Sequence, residues 1–123
     1  MADGAAAVDL DINAPITQSG VSGITKAGAG TLQLSGANTY SGITAVSGGT
    51  LALNHVNALQ SSTLDTGIAG PQQVVFALAG ANTYNIAGLQ GADNLDLGGN
   101  LLMIGSNNAS TTFAGTLSGA GGA

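Results

Sequence analysis

The sequence lacks, or contains very few of, several residue types that proteins use for cross-linking, aromatic packing and ion pairing. Its 123 residues include no cysteine, no tryptophan, only two prolines, and one cation among lysine and arginine, which is Lys26. Without cysteine there are no disulfides, so stability has to come from packing and backbone hydrogen bonds, and the redox compartment is left open. No apolar run approaches the roughly 18 residues that a membrane-spanning helix needs.

The shortage of cations excludes whole classes of function. All six acidic residues are aspartates, and the net charge of −5 arises because almost nothing balances them. Nucleic-acid-binding proteins displace phosphate counterions with Lys and Arg, and docking on anionic lipid also needs basic residues. We therefore expect no nucleic-acid partner and no direct insertion of this segment into a membrane.

Glycine and short alternating apolar segments dominate what is present. The chain has 21 glycines, and Gly, Asn and Ser clusters separate runs of Leu, Ile, Val and Thr with the period of two that is typical of strands. Helices are disfavoured, because each interior Gly costs about 1 kcal/mol. Residues 54–60 are predicted as a loop or a single helical turn. The predicted strands are 7–12, 31–35, 43–47, 50–53, 63–68, 73–78, 95–97, 101–104 and 111–117.

Internal echoes indicate how these strands are arranged. The segment GANTY at 36–40 recurs at 80–84, GGTLAL at 48–53 is echoed at 98–103, and 118–122 resembles 19–23. Offsets of 44, 50 and 99 residues fit about two and about four coils of a solenoid with ~20 to 25 residues per coil. Such coils bury Leu, Val and Ile, expose Thr, Ser and Asn, and turn at Gly and Asn. The pattern predicts an all-β parallel β-solenoid of about five to six coils.

One stretch carries a family resemblance. Residues 23–42, GITKAGAGTLQLSGANTYSG, and the following GTLAL at 49–53 closely resemble the autotransporter-associated β-strand repeat, also called the passenger-associated transport repeat. The match departs at Ile43 and Ala45, where the family usually has Gly and Thr. The resemblance implies a right-handed parallel β-helix from the passenger of a type V secreted protein of a Gram-negative bacterium. In such passengers these repeats act as a stalk and aid export and folding.

The resemblance also implies a division of the chain and a set of structural residues. Residues 7–123 are expected to form one solenoid segment, with 111–123 resembling the lead-in to a further copy and 1–6 resembling a flexible expression start. The residues that match the motif or its echo are expected to be structural: Lys26, Gly28, Gly30, Leu32, Leu34, Gly36, Asn38, Tyr40, Gly42, Gly49, Leu51, Leu53, Asn82 and Tyr84.

Five aspartates are the first candidates for chemistry. Asp9 and Asp11 are two residues apart on one strand face, and Asp65, together with the pair Asp93 and Asp96, offers further acid/base or metal-ligand positions. The favoured interpretation is that they are solvated outer-face residues. A β-helix lyase or glycosidase normally adds cationic partners and aromatic sugar platforms, which this composition does not supply.

Two other patterns suggest metal binding. Residues 91–99, GADNLDLGG, resemble the Ca²⁺-binding nonapeptide of RTX solenoids, but the pattern occurs once and that kind of site needs stacked copies. His55 has no second His and no Cys to complete a metal site or a catalytic triad. No metal, cofactor or catalytic residue is predicted.

The remaining polar residues have structural interpretations beside functional ones. Lys26 is expected to be solvated or bonded to carbonyls at a coil corner. Asn38 and Asn82 are expected to form turns and bond to adjacent coils. Tyr40 and Tyr84 are expected to pack a corner, with a glycan-binding stripe as the alternative.

These observations favour a non-enzymatic stalk module of an autotransporter passenger or large surface adhesin. The alternative is a surface that binds glycans or a host, and a polysaccharide-degrading β-helix enzyme is the third hypothesis. We expect a secreted or outer-surface location. The expected partners are neighbouring coils of the parent passenger or other copies of the segment stacked end to end into filaments, because solenoid ends expose strand edges.

Overall fold

A computed structural model describes residues 8–68, 70, 73–108 and 110–119. These residues form strands and turns, with no helix among them and hence none that is long and apolar enough to cross a membrane. The predicted all-β class is confirmed. The strands are β1 (Leu10–Ile12), β2 (Ile24–Lys26), β3 (Thr31–Leu34), β4 (Ile43–Val46), β5 (Thr50–Leu53), β6 (Leu59–Asp65), β7 (Gln73–Phe76), β8 (Thr83–Gln90), β9 (Leu95–Asp96), β10 (Leu101–Ile104) and β11 (Leu117–Ser118).

The strands alternate between two parallel sheets. The odd sheet has the order β1-β3-β5-β7, the even sheet has the order β10-β8-β6-β4-β2, and β9 pairs with β11 in a third, two-stranded sheet. Each coil contributes one strand to the odd side and the next strand to the even side. The five strands of the even sheet therefore mark about five coils, which confirms the predicted β-solenoid.

Paired residues show that the coils differ in length. In the odd sheet, Leu32 lies opposite Leu51 and Leu51 lies opposite Val74, so the second of these two coils contains more residues than the first. In the even sheet, Thr44 is paired with Leu64 and Leu64 with Leu89, and the later coil is again the longer one. The strands stay in register while the corners between them take up the difference in length.

The core runs through the centre of the coils as columns of apolar side chains. Leu51 is completely buried between Leu32 and Val74, and Leu53 lies between Leu34 and Phe76 in the next column. Because side chains alternate along a strand, the residues between these leucines point outward. The columns are therefore continuous from coil to coil, as the alternation of apolar residues predicts.

Two glycines allow neighbouring coils to touch through their backbones. A Cβ added to Gly42 would clash with the carbonyl oxygen of Ser22, and one added to Gly36 would lie 2.8 Å from that of Ala14. Real Cβ atoms do not approach backbone atoms this closely, so a side chain at either position would push the coils apart. The sequence motif requires glycine at these corners for this reason.

Some predicted elements differ from the observed ones. β8, the longest strand, and β2 were not predicted, and the predicted loop at 54–60 ends in the first residues of β6. The segment TYNIAGLQ of β8 contains Asn85 and Gly88, which weaken a local strand signal, but pairing with β6 and β10 on both sides overrides it. The predicted strand at 111–117 is reduced to an isolated bridge at Phe113 and the short β11.

The internal echoes do not coincide with stacked positions. Phe76 stacks two coils above Leu34, whereas the GANTY echo would align Leu34 with Leu78. The two alignments differ by an even number of positions, so inward residues stay inward in both. The echo of 48–53 at 98–103 is wrong as a stacking relation, because Thr50 belongs to the odd sheet and Leu101 to the even sheet. The start at 1–6 and the end of the predicted lead-in lie outside the described residues.

A pair of leucine substitutions tests whether the columns carry the stability. Leu51→Ala should lower the free energy of unfolding by about 2–5 kcal/mol, because it opens a cavity between two other coils. The same substitution at Leu101, whose side chain is 52% exposed, should cost less than about 1 kcal/mol. Urea unfolding followed by circular dichroism measures both, and equal losses would contradict the assignment of the core.

Candidate functional site

The five aspartates that the structure describes each hold a backbone group or a neighbouring side chain. Asp9 accepts a hydrogen bond from the Thr31 amide at 2.8 Å, and Asp11 accepts one from the Ser35 hydroxyl at 2.6 Å. Each of these bonds joins two neighbouring coils. In the part of the chain that the structure describes, no three His or Asp side chains come together in a way that could hold a metal ion.

The other three described aspartates accept hydrogen bonds from backbone amides. Asp93 accepts from the Gly70 amide of the preceding coil at 3.4 Å. Asp65 accepts from the Gly67 amide at 2.8 Å and Asp96 from the Gly98 amide at 2.9 Å. In these last two, an aspartate bonds a backbone N–H two residues after itself, which is a common turn-stabilising arrangement. His55 acts similarly, because its Nδ1 accepts from the Asn57 amide at 3.0 Å.

Lys26 lies in a polar site at a corner of the solenoid. Its side chain is 2% exposed, and its Nζ donates to three carbonyl oxygens: Ala27 at 3.0 Å, Gly28 at 2.9 Å and Gly48 at 3.1 Å. Gly48 belongs to the next coil, so the ammonium joins two coils at one corner. We call this arrangement of Lys26 and its three acceptors the lysine clamp.

Glycine at two positions makes the lysine clamp possible. Gly28 and Gly49 have φ angles of 78° and 65°, in the left-handed region that other residues rarely adopt. A Cβ on Gly49 would also lie 2.6 Å from Nζ of Lys26. The backbone can therefore close around the ammonium only because these residues lack side chains.

The electrostatics of the lysine clamp have two opposing causes. Burial lowers the pKa of Lys26 below its usual value, and the nearby carboxylate of Asp9 partly offsets this by raising it. The protonated amine supplies three donor hydrogens, one for each carbonyl acceptor. The geometry therefore suits the charged form, and a cation held by neutral carbonyls in this way offers no free lone pair for chemistry.

Asn38 bridges three coils. Its Oδ1 accepts from the Ile16 amide of the coil below at 2.7 Å, and its Nδ2 donates to the Ala58 carbonyl of the coil above at 3.0 Å. The side chain is 2% exposed. Asn38 therefore bonds to the coil on each side of it.

A chain of hydroxyl groups lies beside Asn38 in the core. The Tyr40 hydroxyl is 2.8 Å from Thr44 Oγ1, which is 2.7 Å from Ser62 Oγ, and Ser62 in turn donates to the Gly42 carbonyl at 2.6 Å. Thr44 and Ser62 are fully buried, although the sequence interpretation placed Thr and Ser outward. Val46, two residues after Thr44 on β4, faces inward. Because side chains two residues apart lie on the same face of a strand, the position of Val46 indicated that Thr44 also faces inward.

The second GANTY segment is built differently. Asn82 is half-buried and donates to the Ala79 and Gly80 carbonyls of its own turn. Tyr84 lies in β8 and donates to the Leu53 carbonyl at 3.1 Å. Tyr40 and Tyr84 are 2% and 1% exposed, so the glycan-stripe alternative is wrong for these rings, which pack inside the solenoid.

The other motif residues line the core or the corners. Gly30 and Gly36 are buried at corners, and four leucines fill the inward columns of β3 and β5: Leu32, Leu34, Leu51 and Leu53. Sequence reasoning missed Asn100, which is buried and accepts from the Asn82 amide at 2.9 Å. The glycines before Asn100 indicated a turn but not a buried amide.

The outer face of the odd sheet carries a polar ladder. Asn54 Nδ2 donates to Ser35 Oγ at 3.2 Å, and Ser35 donates onward to Asp11. Gln33 Nε2 approaches the same Ser35 oxygen at 3.4 Å. These side chains hydrogen-bond to one another across three coils, so the polar ladder of side chains helps to hold the coils together.

Comparison with known proteins identifies the segment that contains most of these contacts. Residues 24–53 match the family model of the passenger-associated-transport-repeat, which confirms the resemblance found in the sequence. The match runs from β2 to β5 and includes Lys26, Asn38 and Thr44. No curated protein and no solved structure matched the chain.

Replacing the lysine tests the clamp directly. Lys26→Met keeps an unbranched side chain up to the ε position but removes the ammonium that bonds carbonyls of two coils, so it should lower the free energy of unfolding by about 1.5–3 kcal/mol. Thr25→Ala changes the exposed neighbour on the same strand and should cost less than about 0.5 kcal/mol. Urea unfolding compares the two, and a Met variant as stable as the parent chain would contradict the role of the clamp.

Because Tyr40 and Tyr84 are buried, we expect the protein to lose stability at high pH. Burial raises the pKa of Tyr40 and Tyr84, with hydrogen bonds partly lowering it again. Above about pH 10 the unfolded chain releases phenolic protons that the folded chain retains, so the free energy of unfolding falls as pH rises. Lys26 has the opposite sign, because its lowered pKa lets the folded chain lose a proton first and stability rises with pH up to 10.5.

A comparison of the parent chain with a variant that lacks one tyrosine hydroxyl isolates the tyrosine effect on stability. Tyr40→Phe keeps Lys26 and should weaken the fall in stability above about pH 10. Urea unfolding at each pH gives the difference, and tyrosinate absorbance reports only these two rings, because the chain has two Tyr and no Trp. A difference between parent and variant that does not change with pH would contradict the prediction.

Proposed function

We propose that the chain is a stalk module of an autotransporter passenger and that its folding helps the passenger out of the cell. The match of residues 24–53 to the passenger-associated-transport-repeat and the β-solenoid fold fit a structural passenger module. The single observation that carries the proposal is the lysine clamp, in which the chain's only Lys or Arg side chain is buried to join two coils.

The mechanism follows from contacts between successive coils. In the two main sheets each strand pairs only with strands of the coil before and the coil after it. Folding can therefore propagate from one end, with each new coil laid on a finished one. Every buried leucine in the new coil contributes about 1.5–3 kcal/mol. A coil that has folded outside the membrane resists being drawn back, which gives export a direction.

The polar residues support a role without catalysis. Asp9, Asp65 and Asp96 accept hydrogen bonds from backbone groups of turns and neighbouring coils, and the hydroxyls of Thr44 and Ser62 are fully buried. A nucleophile has to reach its substrate, and these two buried hydroxyls do not. We therefore propose that the module is not an enzyme and that it acts at the outer surface of a Gram-negative cell, joined to neighbouring coils of a longer passenger.

An export assay tests this function. The chain is placed between a signal peptide and an autotransporter barrel, and the amount of passenger at the cell surface is measured by its accessibility to added protease. Leu51→Ala and Lys26→Met should lower surface display several-fold, because they weaken coil stacking. Leu101→Ala is the matched control and should leave display unchanged.

Two results would overturn the proposal. Equal display of all four proteins would show that coil stability does not drive export. Saturable binding of the purified chain to a glycan array, lost on Asn54→Ala while Leu51→Ala leaves display unchanged, would favour the adhesive surface instead. If Leu51→Ala lowers surface display and the purified chain binds no glycan, the result supports the stalk role.

A further inference from the structure

The odd side of the solenoid is interrupted. β7 and β9 succeed each other on that side, yet β7 pairs only with β5, and β9 pairs only with β11. No backbone hydrogen bond joins residues 73–78 to residues 94–98, all of which the structure describes. We call this gap between β7 and β9 the break.

The hydrogen-bond pattern identifies the groups that face the break. Gln73 and Ala77 donate to carbonyls of β5 and its flanks, so the amide of Val75, which has the same parity, also points to β5. Residues of a parallel strand alternate between its two sides, so the amides of Val74 and Phe76 point towards β9. No strand partner receives them there.

The facing strand has the same arrangement. Leu95 and Leu97 donate to the Thr116 and Ser118 carbonyls on the far side, so the backbone of Asp96 points back towards β7. Two strand edges therefore face each other without being joined.

The break is open on the outside and closed on the inside. A cleft of about 210 Å³ lies there, lined by β7 together with Asp96 and Gly98. Some Cα atoms of the two strands lie within 8 Å of each other, which is too close to admit another strand between them, since each strand spacing takes about 4.8 Å. Leu95 and Leu97 are buried behind the cleft and keep water out of the core.

The opposite side of the molecule is continuous at the same level. There β8 pairs with β6 below and with β10 above, so the even sheet runs unbroken through all five of its strands. One wall of the rod is therefore bonded through this level while the other wall is divided.

We propose that the solenoid bends at the break, with the even sheet as the hinge and the two edges of the odd side opening and closing. Bending towards the even side widens the cleft without breaking a hydrogen bond between paired strands of the odd sheet. The bonds that cross the same level at the flanking corners, from the Ala92 amide to the Gly67 carbonyl and from the Leu101 amide to the Asn82 carbonyl, limit how far it opens. Bending at any of the levels from β1 to β7 would have to break several hydrogen bonds between paired strands. This hinge rests on the ladder geometry alone and does not depend on the proposed stalk role.

Hydrogen exchange resolved to single amides tests the break. The amides of Val74 and Phe76 should exchange at least about 100-fold faster than that of Val75 on the same strand. The matched control is β5, which is paired on both sides, so Leu51, Ala52 and Leu53 should be protected alike. Equal protection of all three β7 amides would show that the odd sheet is closed and would overturn the proposal.

Distances between spin labels test whether the break moves. The chain contains no cysteine, so pairs of cysteines can be introduced and labelled cleanly. Asp11→Cys with Ser118→Cys spans the break on the odd side, and Thr25→Cys with Met103→Cys spans the same level on the even side. All four positions are exposed.

The hinge predicts different widths for the two distance distributions. The odd-side pair should give a distribution at least about twice as broad as the even-side pair, since opening changes mainly the divided wall. Two equally narrow distributions would show a rigid break and overturn the hinge, even if the amides of Val74 and Phe76 exchange quickly. Urea unfolding of each double variant confirms that both are folded.

Discussion

The ladder of backbone hydrogen bonds between successive coils is the constraint on which the rest of this structure depends. A parallel ladder fixes the strands but leaves the corners, where backbone groups turn away from their partners and still have to be satisfied. Lys26 and Asn38 supply those partners from within the chain and join the coils that the ladder brings together. The polar side chains at the corners are therefore as necessary to the fold as the leucine columns.

The charge distribution follows from the same need. With its only Lys or Arg side chain buried, the chain places carboxylates as the charged side chains on the outer surface of the described residues. The ladder pairs Asp11 with Gln33 and Gln33 with Ala52, and it pairs Asp65 with Ala45 and with Gln90. Carboxylates do not lie opposite each other in these columns, so like charges do not repel across a single strand spacing.

The sequence allowed the class, the solenoid and the bounds of strands such as β5 and β10 to be predicted, because alternation of apolar residues and glycine corners are local signals. It did not reveal β8, whose Asn85 and Gly88 are tolerated only because strands pair with it on both sides. It also placed the hydroxyl of Thr44 outward. Burial of a hydroxyl depends on a partner such as Ser62 in the next coil, and single-strand patterns carry no information about that partner.

The unequal coil lengths have a consequence for the shape of any rod built in this way. In the odd sheet the coil from Leu51 to Val74 contains more residues than the coil from Leu32 to Leu51, yet each adds the same strand spacing of about 4.8 Å to the axis. The length of the rod along its axis thus depends on the number of coils, whereas its mass depends on the number of residues. Extra residues at a corner thicken such a rod locally without lengthening it, so insertions can decorate the side of a stalk while its span stays constant.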